Sequence, residues 1–275
     1  MRILFIGDIV GRSGRAAILH HLPELRRRYA PDRIVANAEN AAAGFGLTRK
    51  IADQLFEAGV DILTLGNHGF DQREMVAHIE HEQRIVRPLN MAPGTPGRGL
   101  QLVRDPRGRD LLVCQVMGRL FMGLFDDPFR ALEQALAPYA LGGSVAAILV
   151  DVHAEATSEK MALGHFLDGR VSAVLGTHTH VPTADHRILP GGTAYVSDVG
   201  MTGDYDSVIG MEKEGSLYRW RSDVPGPRLE PARGPATLCG VLVDTDDTTG
   251  LARRILPIRT GGCLDPSLPD LPPPG

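Results

Sequence analysis

Cysteine is scarce in this chain. Its three residues, Cys114, Cys239 and Cys263, are scattered and odd in number, which argues against a disulfide framework and against a Cys-x-x-Cys metal site. The expected compartment is therefore the reducing cytoplasm. Long apolar runs are missing as well. The longest, around residues 145–150, falls far short of a membrane span. The apolar opening is cut by Asp8 too early to form a signal-peptide core. Nor is there a basic excess: the formal net charge is −4, so no global field draws nucleic acid to the chain. The local run Arg26-Arg27-Arg28 falls in a predicted helix and reads as a solvated face. No internal repeat is visible. Both nucleotide fingerprints fail too, because Gly11-Arg12-Ser13-Gly14 is neither Gly-x-Gly-x-x-Gly nor a Gly-Lys-Ser/Thr loop.

What is present is the composition of an ordinary globular enzyme, 43% hydrophobic and 23% charged, enough to bury a substantial core. The first ninety residues alternate short apolar runs with amphipathic stretches. Runs 2–7, 33–38, 61–65 and 85–88 read as strands, and 15–30, 49–58 and 71–83 as helices. The Gly11–Gly14 segment is expected to be a turn, Pro23 to kink the first helix, and Thr48 to cap the second. Such alternation predicts an α/β layered architecture. Further on, a hairpin is expected around Asp105-Pro106-Arg107-Gly108-Arg109. A helix over 127–139, a strand over 144–150, a helix over 158–169 and a strand over 171–175 follow. Strands expected over 193–200, 237–246 and 251–259 make the sheets mixed. One domain is predicted over 1–262, with a proline-rich tail, 263–275, extended or disordered.

The polar residues that could do chemistry sit where predicted strands end. Asp8, Glu39-Asn40, Asn67-His68, Asp151 and His153, and His178 with His180 each follow an apolar run. Ligands collect at the carboxyl ends of strands in α/β proteins. His178 and His180 would share a face in an extended segment and could equally converge in a loop. Carboxylates, amides and imidazoles without a thiolate form an N/O donor set suited to manganese, iron, zinc or cobalt. The donors outnumber the needs of one tetrahedral ion, so two ions bridged by a carboxylate and a hydroxide use them best. Such a centre carries a charge of about +1, which a monoanionic phosphodiester would neutralise. His68 is not needed as a ligand beside Asn67, so it is free to act as an acid toward a leaving oxygen. Arg12 and Ser13 are candidate phosphate contacts at a helix N-terminus. Asp151 is left outside the ligand set, because His153 two residues on fits it better. The remaining histidines, His20, His21, His78, His81, His165 and His186, fall on predicted helices or away from strand ends.

Gly66-Asn67-His68 and Gly176-Thr177-His178-Thr179-His180 resemble the GNH and GHxH blocks of calcineurin-like metallophosphoesterases, and their order along the chain agrees. Gly7-Asp8-Ile9-Val10-Gly11-Arg12, Asn37-Ala38-Glu39-Asn40 and the block from Ser197 to Gly203 are similar to the YmdB-like bacterial branch. The resemblance implies a four-layered α/β sandwich with two central mixed β-sheets. It also implies two transition-metal ions, iron or manganese, with zinc as the alternative. One ion would take Asp8, Glu39 and His180, and the other would share Glu39 and add Asn67, His153 and His178.

Three positions depart from the superfamily pattern. Val10 stands where a ligating histidine is usual, Glu39 replaces the bridging aspartate, and Gly69 replaces the acid that follows Gly-Asn-His. Asn40 is the residue expected to fill the place Val10 cannot. The implied activity is metal-dependent hydrolysis of phosphodiesters, including 2′,3′- and 3′,5′-cyclic monophosphates, by a bridging hydroxide with His68 assisting the leaving group. The expected partner is a small phosphodiester or nucleotide, an RNA-derived one included, with no membrane and with homo-oligomer formation left open. Two rivals are a regulatory metal- or nucleotide-binding protein with little turnover, and a metal-free nucleotide-binding α/β enzyme.

Overall fold

A computed structural model describes residues 1–271. Its first half runs β1 (Arg2–Ile6), α1 (Gly11–Tyr29), β2 (Arg33–Asn37), α2 (Arg49–Glu57), β3 (Ile62–Thr64), α3 (Glu74–His81) and β4 (Ile85–Val86). Next come β5 (Leu100–Arg104), β6 (Asp110–Met117), α4 (Pro128–Leu136), β7 (Ala147–His153), α5 (Thr157–Leu167) and β8 (Ala173–Thr177). The chain closes with β9 (Arg187–Ile188), β10 (Ala194–Val196), β11 (Gly203–Asp204), α6 (Lys213–Arg221), β12 (Ala236–Thr245) and β13 (Ala252–Gly261).

Two mixed sheets result. In the first, β1, β2, β3 and β4 are parallel neighbours, and β12 returns antiparallel to β1 with Ile6 opposite Gly240. β12 also pairs antiparallel with β11 and, over nearly its whole length, with β13. The second sheet runs β5-β6-β7-β8-β10-β9, its four middle strands parallel. Because alternate residues of a strand face opposite sides, β1 serves two cores at once. Ile3 and Phe5 meet Val113, Leu149 and Leu175 between the sheets, while Leu4 and Ile6 meet Ile18, Leu22 and Leu55 under the helices. A third apolar layer joins Val150, Val152 and Val174 to Leu132 of α4 and Leu163 of α5. The expected four-layered sandwich is what forms.

Several local expectations are revised. Gly11–Gly14 is the first turn of α1, not a separate loop, because the glycines serve close packing. A Cβ on Gly14 would lie 2.2 Å from the Thr202 carbonyl oxygen. Pro23 lies inside α1, which continues to Tyr29. The Thr48 cap is present, its side chain accepting from the Ile51 amide. β8 is shifted two residues toward the C-terminus, so Gly176 and Thr177 are strand and the histidines begin the loop. Helix α6 is an element the apolar periodicity did not announce, since only Ser216 of its nine residues is buried. The proline-rich segment is extended and docked as far as it is described. Ser267 and Arg259 exchange backbone hydrogen bonds, Leu268 and Leu271 pack on the helix-side core, and Tyr29 Oη donates to the Pro269 carbonyl. Residues 272–275 lie outside the described residues.

Candidate metal centre

Five parallel strands, β1, β2, β3, β7 and β8, deliver polar groups from the same end. Asp8 follows β1, Glu39 and Asn40 follow β2, Asn67 and His68 follow β3, His153 is the last residue of β7, and His178 and His180 follow β8. The two sheets face each other there, so residues of the first meet residues of the second. Glu39, His153 and His178 place one donor atom each within 4.8 Å of one another. His153 Nε2 is 2.9 Å from Glu39 Oε1, 3.1 Å from Asn67 Oδ1 and 3.1 Å from His178 Nδ1. Gly66 makes this approach feasible: a Cβ there would sit 2.3 Å from Glu39 Oε2 and 2.5 Å from His153 Nε2.

The surrounding bonds decide which nitrogens point inward. Thr177 Oγ1 donates to Asp151 Oδ1 at 2.6 Å, so it accepts from His153 Nδ1–H at 2.9 Å. That leaves His153 Nε2 facing three groups that can offer only lone pairs. His180 repeats the pattern. Its Nδ1 donates to the Ile209 carbonyl at 2.8 Å, leaving Nε2 3.3 Å from Asn40 Oδ1. Asn40 Nδ2 is in turn spent on the Gly44 carbonyl, which fixes the direction of Oδ1. His178 Nε2 is 3.4 Å from Glu155, so its Nδ1 is the inward atom. Asp8 is wholly buried; its Oδ2 accepts from the His178 amide at 3.2 Å, while Oδ1 has no hydrogen-bond partner among the described residues.

Convergent lone pairs and an orphaned carboxylate oxygen form a site that calls for positive charge. The ionisation of the groups says the same. Burial raises the Glu39 carboxyl, but His153 and the His68 amide outweigh it and hold it at about 2. Burial disfavours a charged His153, yet Glu39, Asp8 and Asp151 raise it to about 9. Burial lifts Asp8 to about 6, against the pull of His180 and His153. Burial and the neighbouring His153 press His178 down to about 3, so that ring stays neutral. The donor set therefore fits divalent transition ions.

A profile of YmdB-like proteins matches residues 4–258. The chain belongs to the YmdB-like family. It is 48% identical over 255 residues to the 2′,3′-cyclic-nucleotide 2′-phosphodiesterase of Bacillus subtilis (strain 168), covering 93% of this chain and 95% of that one. A putative phosphatase/phosphodiesterase of Mycoplasma pneumoniae is 37% identical over 258 residues, covering 90% and 89%. Among solved structures, a hypothetical protein from Thermus thermophilus superposes with a TM-score of 0.89 at 49% identity, covering 95% of this chain and all of that one. A novel phosphatase from Mycoplasma pneumoniae does so with a TM-score of 0.88 at 34% identity, covering 95% and 93%. The YmdB-like assignment within the metallophosphoesterases, and the sandwich that goes with it, are borne out.

Not every predicted site residue joins the cluster. His68 stands at its rim, half-buried, its amide bonded to Glu39 Oε2 at 2.9 Å and its ring edge-on to Phe45. Its Nδ1 is 2.8 Å from Asp71, so the carboxylate absent at Gly69 comes from two residues further on. Arg12 and Ser13 line a separate cavity along α1, and the Ser13 hydroxyl donates to the Ala232 carbonyl.

Two supports lie beneath the cluster. Asp151 accepts from Thr64, Thr177, Gln115 and Asn37, tying both sheets together. Buried Lys160 of α5 donates to the Thr177 carbonyl at 2.7 Å and to Asp198 Oδ2 at 2.8 Å. Asp198 Oδ2 also accepts from the Thr179 amide and hydroxyl. The pair thus clamps a loop whose histidines both take left-handed φ values, 97° at His178 and 66° at His180. Asp198 belongs to a block that the family resemblance marks, whereas a lysine on a helix carries no local signal.

Proposed function

We propose that this chain is a dinuclear metallophosphodiesterase acting on phosphodiesters of nucleotides, with 2′,3′- and 3′,5′-cyclic monophosphates as the leading substrates. Asp8, Glu39, Asn40 and His180 would hold one transition-metal ion, and Glu39, Asn67, His153 and His178 the other. Iron or manganese suits this donor set best, and zinc is compatible with it. When bound, such ions supply Lewis acidity and lower the pKa of water to about 7. The protein's part is to fix donors, substrate and proton carrier in one geometry. Asp71 lies against His68 Nδ1, which leaves Nε2 as the atom that would carry a proton to the leaving oxygen. Arg12 and Ser13 remain candidates for phosphate contact outside the ligand cluster.

The observation that carries this reading is the meeting of lone-pair donors around His153 Nε2. The name of the Bacillus relative supports the substrate class. No helix among the described residues is long and apolar enough to cross a membrane, which accords with a proposed site of action in the cytoplasm. The test is elemental analysis of protein purified without added metal, paired with a phosphodiester panel that includes bis-p-nitrophenyl phosphate. Metal-dependent turnover lost in Asn67→Ala is expected. Turnover that survives exhaustive chelation would overturn the proposal.

A further inference from the structure

The flank of α1 carries a cavity of about 740 Å³ whose character departs from the rest of this acidic chain. Arg12, Arg15, His20, His21 and Arg233 line it, and no carboxylate among the described residues does. The Arg12 guanidinium has no partner among the described residues. Arg15 is half-buried and spends its Nη1 on a backbone carbonyl, that of Ala41, not on a counter-ion. Burial and the neighbouring Arg12 lower its pKa, as expected for like charges crowded together without an anion. Among the described residues Arg233 pairs only with exposed Glu230 at the rim.

The cavity shares a wall with the metal centre. Ala43 lines it, Arg15 grips the Ala41 carbonyl, and the Gly11 amide donates to the Asn40 carbonyl at 2.9 Å. The same segment, 38–46, carries Glu39 and Asn40 into the cluster. The arginine-lined cavity and the donor cluster are therefore both built on one short segment of chain.

We infer that this cavity is a second phosphate subsite, and that the fuller substrate is an RNA 3′ end bearing a 2′,3′-cyclic phosphate. The inference rests on the function proposed above and deepens it. A 2′,3′-cyclic phosphate forms when a ribose 2′-hydroxyl attacks the adjacent phosphodiester and expels the next nucleotide. The class of reaction that supplies this substrate is thus RNA strand cleavage by transesterification. An end made that way carries another phosphate one nucleotide upstream, and a cyclic mononucleotide does not. Hydrolysis of the 2′ P–O bond places the water oxygen on phosphorus and a proton on the 2′ oxygen. The product is a 3′-phosphate end whose upstream phosphates stay where they were bound.

The test compares cytidine 2′,3′-cyclic phosphate with a trinucleotide ending in the same group, on metal-loaded enzyme at low and high salt. The wild type is expected to favour the trinucleotide by about tenfold in kcat/KM, mainly through KM, and to lose the preference as salt screens the arginines. Arg15→Gln and Arg233→Glu should bring the ratio close to one. Because Arg233 is exposed, its charge reversal leaves the fold intact even where Arg15→Gln does not. A wild type indifferent to the upstream nucleotides, or a preference unchanged in Arg233→Glu, overturns the inference. Fluorescence anisotropy of a labelled trinucleotide 3′-phosphate reads the cavity without turnover. Salt-sensitive binding weakened by Arg233→Glu would sustain the subsite even if the cyclic mononucleotide is not hydrolysed, which separates failure of this inference from failure of the catalytic proposal.

Discussion

Thr177 Oγ1 lies 2.9 Å from His153 Nδ1 and 2.6 Å from Asp151 Oδ1, and this one hydroxyl sets which imidazole nitrogen faces the cluster. A hydroxyl that donates to a carboxylate can only accept from the ring, so Nδ1 keeps its proton and Nε2 is the nitrogen left to exchange one for an ion. The β7–β8 register makes the contact, because His153 and Thr177 are paired neighbours across the sheet.

Thr177→Val keeps the shape and removes the relay. The ring is then free to turn or to protonate Nε2, and Asp151 loses a donor. Divalent-metal affinity should fall by about 10- to 100-fold, as it does when the partner of a ligating histidine is lost. Isothermal titration of metal-stripped protein with Mn²⁺ reads it. An unchanged affinity would show that the orientation is set elsewhere.

His68→Ala should separate chemistry from binding. Loss of an acid at the leaving oxygen costs about 10²- to 10⁴-fold in kcat. Metal content should stay at the wild-type level, because the His68 ring bonds Asp71 and packs on Phe45 while only its amide touches Glu39. Steady-state kinetics alongside elemental analysis checks both halves. Metal lost together with activity would make His68 a ligand, not a proton carrier.

Lys160→Met leaves Asp198 buried without its cation. Breaking such a pair from one side costs roughly 3–5 kcal/mol. The expected readout is a lower urea midpoint for the metal-free protein. Lys160→Met combined with Asp198→Asn, which removes the stranded charge, should recover part of that loss. If the double variant is no better than the single one, the cost lies in packing and not in charge.

Metal affinity should rise with pH across the neutral range. The carboxylates around His153 raise it to about 9, so below that value an incoming ion must displace a proton from this ring. One displaced proton gives about a tenfold weaker apparent affinity for each pH unit of acidification. Competition titrations between pH 6 and pH 9 measure the slope. A flat profile would mean that His153 is neutral before the ion arrives.

The candidate donors were legible in the primary structure because they are written locally. Asp8, Glu39, Asn67, His153 and His178 each stand at or just past the end of an apolar run, and a short continuous apolar run followed by glycine or a polar residue needs no distant partner to be read. The layered α/β class followed for the same reason. Signals that come from across the molecule were silent. Gly11–Gly14 looked like a turn because nothing nearby reveals that Thr202 presses against Gly14. The 205–235 segment, with α6, has little buried periodicity to betray it.

The sequence by itself therefore determined which donors the protein would offer and at which ends of which strands. Tertiary structure alone decided how they are used. Pairing β1 with β12 across some 240 residues, and facing one sheet against the other, brings Glu39 to His153, turns each imidazole by its far nitrogen, and sets Lys160 under the histidine loop. A side chain's type is a local fact. Its tautomer, its charge and its partner depend on what burial removes from water and what neighbour replaces that water, which only the closed fold supplies.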